Sequence, residues 1–106
     1  MKKEAKKIIK NGKVAIAISP GIGAGWITWN PELSPFEPKV IEMILAGKQD
    51  EITEEWCEKE LGVKNVYCDG ASDLEIVWIK KGLRFSINEY DGDEDLYIEN
   101  KLDYIA

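Results

Sequence analysis

No histidine occurs among the 106 residues of this chain. That absence removes Ser-His-Asp and Cys-His catalysis, imidazole metal ligands, and the side chain that ordinarily titrates near neutrality. Cysteine is almost as scarce. Cys57 and Cys68 cannot build a four-thiolate zinc site and lack the C-x-x-C spacing of a redox motif. They read as reduced thiols that fill space, with a redox pair as the alternative. Four serines are present, none in a G-x-S-x-G elbow. Long apolar runs are missing too. The longest, Val14 to Ile18, is too short to cross a bilayer or to act as the apolar region of a signal peptide. The N-terminus shows no cleavage-site pattern. The expectation is a cytoplasmic chain with no membrane partner and no cofactor.

What is present is an ordinary globular balance, 44% hydrophobic and 32% charged. It predicts a single domain over 1–106, with 1–12 as a basic N-terminal segment. A chain this short buries a modest fraction of its unfolded surface, so a homo-oligomer is expected. The net charge of −6 is unevenly spread. Residues 1–13 carry six lysines and one acid, for +5, whereas the rest carries −11. An acidic body repels duplex DNA and RNA, whose binding depends on phosphate neutralisation, so no duplex partner is expected. The lysine run reads as a solvated end.

Local patterns predict the elements. Residues 2–10 suggest a short basic helix ended by Asn11-Gly12. Val14 to Ile18 reads as a buried strand. Pro38 to Ala46 is predicted as a helix, with Pro38 in its first turn and Gly47 as its stop. A second helix is predicted over Ile52 to Leu61, with Glu54 and Glu55 at its positive end and Gly62 beyond it. Val63 to Cys68, Leu74 to Ile79 and Leu83 to Ile87 read as strands. Asp91-Gly92 turns a hairpin whose return strand carries Leu96 and Ile98. Leu102 to Ile105 reads as an edge strand or docked tail. The fold class is therefore α+β: a small, mostly antiparallel sheet with two short helices on one face.

One segment carries most of the chemical information: Gly21-Ile22-Gly23-Ala24-Gly25-Trp26-Ile27-Thr28-Trp29-Asn30. Alternating glycines bring bare backbone N–H groups to one place, and such a nest can hold an anion without positive charge. The spacing is neither the G-x-G-x-x-G of a dinucleotide fold nor a Walker loop. Trp26 and Trp29 offer faces on which a base can stack. Thr28 and Asn30 offer groups for a base edge or ribose. Together they form a coherent set for a small nucleotide. The alternative is that the glycines make a tight turn and the tryptophans anchor the core.

This run, after the strand at Val14 and before the later Phe85-Ser-Ile-Asn-Glu-Tyr-Asp-Gly-Asp-Glu94, resembles a widespread family of small proteins encoded by phages and mobile elements. The resemblance covers most of the chain. It implies an anti-defence role, of which sequestering a cyclic-dinucleotide immune signal without cleaving it is one form.

The acidic hairpin at Glu89 to Asp95 has three readings: an oxygen-rich metal site, paired carboxylates for acid–base chemistry, or a solvated tip. In a nucleotide-binding variant, Glu89 or Asp91 accepts from donor edges of a purine while Tyr90 stacks. Arg84, the only arginine, pairs with a phosphate or with a neighbouring strand. The expected ligand-binding set is thus Gly21, Gly23, Ala24, Gly25, Trp26, Thr28, Trp29, Asn30, Arg84, Glu89, Tyr90 and Asp91. No catalytic or metal-ligating residue is expected, so the chain reads as a binder and not an enzyme. Two readings compete with the nucleotide binder. One is an acidic interaction protein that blocks a host protein. The other is a metal-dependent hydrolase built on Asp91 to Asp95.

Overall fold

Alternating branched and small residues in Val14-Ala-Ile-Ala-Ile18 give one strand two different faces, and the fold is arranged around that strand. The computed structural model describes residues 6–21, 25–98 and 104–106. Strand β2, Lys13–Ile18, is the middle of a three-stranded antiparallel sheet between β1, Ile9–Lys10, and β3, Glu75–Lys80. β3 pairs along all of β2, from Lys13 opposite Lys80 to Ile18 opposite Glu75. The alanines Ala15 and Ala17 face Trp26, Ile27, Val40, Ile41 and Cys57. Their small side chains let helix and loop backbone come close. Val14, Ile16 and Ile18 face Phe36, Ile79 and Phe85 on the other side.

Residues 6–10 are not helical. Asn11 and Gly12 take φ of 53° and 74°, the pair of positive values that a two-residue hairpin needs, and they fold β1 back onto β2. A nine-residue basic helix is marginal by itself, and the ladder bonds of the hairpin win; residues 2–5 of the expected helix lie outside the described residues. Lys7 is drawn into the fold, its ammonium 4.8 Å from the centre of the Phe36 ring and donating to the Ile105 carbonyl.

The antiparallel strands divide into two sheets instead of one. The second holds β4, Arg84–Tyr90, between β5, Asp93–Ile98, and β6, Tyr104–Ile105. The backbone explains the division. After β3, the Lys81 N–H donates to the Gly12 carbonyl, and Gly82 and Leu83 pair with Ala106. β4 therefore leaves the first sheet and lies against its branched face. There Phe85, fully buried, meets Phe36 edge-on at 5.9 Å and stacks with Tyr104 at 5.2 Å.

Helix α1, Pro38–Leu45, starts with the Glu37 side chain accepting from the Lys39 N–H and ends at Gly47 with φ 69°. Helix α2, Glu54–Leu61, begins two residues later than its apolar pattern predicts. Thr53 caps it by accepting from the Trp56 N–H, and Gln49–Glu51 forms a separate 3-10 turn. Val63 to Cys68 is not a strand. Asn65 takes a left-handed φ of 61°, and the backbone of Tyr67 pairs with a side chain, as described below.

Cys57 lies at the centre of the helix-side core, where burial pushes its thiol from 9.0 up to about 12. The unfolded chain gives up that proton near pH 9, whereas the fold retains it. This contribution to stability is intact below pH 9 and is lost as the pH rises toward 12. Urea midpoints measured at increasing pH above 9 will fall more steeply for the native chain than for Cys57→Ala.

Candidate functional site

The Gly-Trp loop and the acidic hairpin meet, and Glu94 joins them. In the β4–β5 ladder Glu89 lies opposite Glu94, with Ile87 opposite Leu96. Paired residues of a strand ladder project to the same face, so both glutamates lie on the side that carries Phe85, Ile87 and Leu96 into the core. Glu94 is fully buried. Its Oε1 accepts from the Ser19 N–H at 2.8 Å. Its Oε2 accepts from the N–H groups of Trp26 at 2.9 Å and Thr28 at 2.8 Å, and from Thr28 Oγ1 at 2.6 Å. The Glu94 N–H donates to the Ser19 carbonyl, and Ser19 Oγ donates to the Gly70 carbonyl. A cluster of backbone donors is present, built from Ser19, Trp26 and Thr28, where the glycine spacing points to Gly21, Gly23 and Gly25. The anion seated on Ser19, Trp26 and Thr28 is the chain's own carboxylate.

This changes the part played by several expected ligand residues. Trp26, 1% exposed, is a core anchor packed with Ala15, Ala17 and Ile41, and it presents no face for a base. Asn30, 2% exposed, has its amide committed. Its Nδ2 donates to the carbonyls of Trp26 and Tyr67, and its Oδ1 accepts from the Tyr67 N–H. It serves as a substitute strand partner for Tyr67 and cannot read a base edge. Thr28 Oγ1 is held by Glu94. Gly21 packs against the Asp73 side chain and lines a different cleft, of about 360 Å³, with Pro20, Gln49, Ser72 and Glu75. Gly23 and Ala24 lie outside the described residues.

Trp29, unlike Trp26, remains in solvent, 38% exposed. Its indole lies over Gly25: a Cβ there would sit 2.8 Å from Trp29 Cδ1 and 2.9 Å from Thr28 Oγ1. Gly25→Ala therefore displaces the indole, and we expect it to lower stability by about 1–3 kcal/mol and to red-shift the Trp29 emission. The indole also meets Tyr67, with ring centres 5.0 Å apart at 43°. Trp29 Nε1 donates to Glu89 Oε2 at 3.3 Å, which also accepts from the Gly92 N–H at 2.7 Å. Tyr67, 42% exposed, donates from its hydroxyl to Asp69 at 2.9 Å. That hydrogen bond to a carboxylate raises the phenol above its ordinary range.

The remaining candidates do not converge on this corner. Tyr90 follows Glu89 in β4, so the two point to opposite faces of the sheet; Tyr90 is 79% exposed on the far one. Asp91 occupies the hairpin tip with φ 49°. Arg84 opens β4, five residues from Glu89 and so about 17 Å along the strand, where it faces Ile105. Among the described residues, no group of three or more His, Cys, Asp or Glu is arranged to hold a metal ion, and the one ion pair is Lys64 with Glu58. No described helix is long and apolar enough to cross a membrane.

Sequence reading missed Glu94 and Tyr67. Glu94 had a usable signal: it shares hairpin parity with Leu96, so it is an acid on the apolar face. Tyr67 had none, because its placement depends on the side chain of Asn30, 37 residues away.

No protein-family model, no curated protein and no solved structure matches this chain.

Proposed function

We propose that the protein acts by binding, and that the Trp29–Tyr67 corner docks a positively charged segment of another protein, which it thereby blocks. If the resemblance to mobile-element proteins holds, that partner is a host protein. One observation carries this reading. Glu94 already takes the N–H groups of Trp26 and Thr28 and the Thr28 hydroxyl, and the exposed rings of Trp29 and Tyr67 lie beside the carboxylates of Glu89 and Asp69. Arginine and lysine side chains favour such a place. Their cations lie over indole and phenol faces, and Glu89 and Asp69 stand at the ring edges. The −11 charge of residues 14–106 steers a cationic partner inward and a nucleotide away.

The test is calorimetric titration of the full chain with an arginine-rich peptide and, separately, with cyclic dinucleotides. The reading predicts salt-sensitive peptide binding that Trp29→Ala weakens at least about tenfold, or roughly 1.4 kcal/mol. Glu89→Gln should weaken it less. Selective nucleotide binding with no response to the peptide would overturn this reading and favour sequestration of a nucleotide signal.

A further inference from the structure

We infer that Cys57 and Cys68 form a site of reversible covalent modification, closing into an intramolecular disulfide that ties α2 to the segment carrying Tyr67. The two thiols are already in contact, with Sγ atoms 3.9 Å apart and in hydrogen-bonding range of each other. Their surroundings differ. Cys57 is fully buried in the helix-side core. Cys68 is half-buried and lines an open cleft of about 290 Å³ with Ile52, Asp69, Ala71 and Ser72. A small oxidant entering from solvent therefore meets Cys68 first, with Cys57 behind it. A disulfide needs sulfurs about 2.05 Å apart, so the pair must approach by about 2 Å. Cys68 is placed to make that movement, because the 63–68 segment is irregular and belongs to no ladder.

The chemistry orders the two sulfurs. Thiolate is the attacking form. Burial raises both thiols, and the nearby Glu54 adds to the effect on each, with Asp69 acting on Cys68 as well. The hydrogen bond between the sulfurs works the other way at Cys68, where it favours the thiolate. With hydrogen peroxide as oxidant, Cys68 attacks one peroxide oxygen. An S–O bond forms, the O–O bond breaks, and hydroxide leaves to become water. The Cys57 sulfur then attacks the Cys68 sulfenic acid; the S–S bond forms, and the S–O oxygen leaves as a second water with the Cys57 proton. Two thiols are oxidised by two electrons, and one peroxide is reduced to two waters. The scarcity of thiolate makes the reaction slow near neutral pH and faster as the pH rises.

The experiment treats the full-length folded chain with hydrogen peroxide and follows intact mass and free thiols, with dithiothreitol as the reversing step. The expected product is a monomer lighter by two hydrogens, with no free thiol. It should melt several degrees higher than the reduced chain and revert on reduction. In Cys57→Ser, Cys68 should instead accumulate as a sulfenic acid that dimedone traps. In Cys68→Ser, the shielded Cys57 should stay unmodified. A native chain that gains oxygen at Cys68 without losing hydrogens, crosslinks only between molecules, or keeps both thiols would overturn the proposal. The native-chain result decides the matter even if a serine variant fails to fold.

Discussion

Glu94→Ala is expected to bring this protein to the edge of unfolding. The substitution leaves the N–H groups of Ser19, Trp26 and Thr28 and the Thr28 hydroxyl without their acceptor. A buried donor left unsatisfied costs about 1–3 kcal/mol. Some of these groups will recover water, so we expect a net loss of about 3–5 kcal/mol, from a total that for domains of this kind runs about 5–15 kcal/mol. Glu94→Gln separates charge from shape. With its oxygen in the Oε2 position it keeps three of the four bonds, but its amide then confronts the Ser19 N–H, donor against donor. The expected cost is about 1–3 kcal/mol. Urea unfolding of both variants, with an unchanged slope as the check on two-state behaviour, measures the difference. A Glu94→Ala variant within about 1 kcal/mol of the native chain would show that Glu94 does not hold the loop in place.

The two loop tryptophans provide the second large effect, because they should behave oppositely. Trp26→Ala empties a site that is 1% exposed between the first sheet and α1, and such truncations cost about 3–5 kcal/mol. Its consequence for binding would follow from loss of the fold. Trp29→Ala removes a ring that is 38% exposed and held by one tyrosine face and one 3.3 Å hydrogen bond. It should cost about 1 kcal/mol or less in stability, yet remove most of the peptide affinity. Thermal midpoints and titrations on the same two variants distinguish a structural tryptophan from a binding one. A folded Trp26→Ala that has lost only binding would return Trp26 to the surface and contradict the packing.

Much of the fold was legible in the sequence, wherever a local rule coincided with the tertiary answer. Pro38 and Gly47 bracket α1, and Gly62 stops α2. Asp91-Gly92 turns its hairpin with φ of 49° and 84°. The alternation in β2 announced two apolar faces. Failures came where a local rule had a competitor. Asn11-Gly12 can end a helix or turn a hairpin, and only the presence of β2 to receive β1 chooses between them. Val63 to Cys68 has strand composition, but Asn30 supplies the hydrogen bonds a neighbouring strand would have made.

The candidate site divides in the same way. Composition alone excluded histidine chemistry and a thiolate zinc centre, whereas the donors gathered on Glu94 are those of Ser19, Trp26 and Thr28, which the glycine spacing did not single out. Spacing records which groups are near one another along the chain; it does not record what comes to meet them. Glu94 reaches the loop from 66 to 75 residues away, and that long-range contact decides that the donors of Ser19, Trp26 and Thr28 hold a carboxylate of the chain itself, while packing buries Trp26 and leaves Trp29 in solvent. The sequence by itself determined the chemical inventory, the turns and the alternating faces, because these depend on residue type and near-neighbour geometry. Only the tertiary structure decided which donors were already satisfied, because satisfaction depends on partners that folding brings together across the chain.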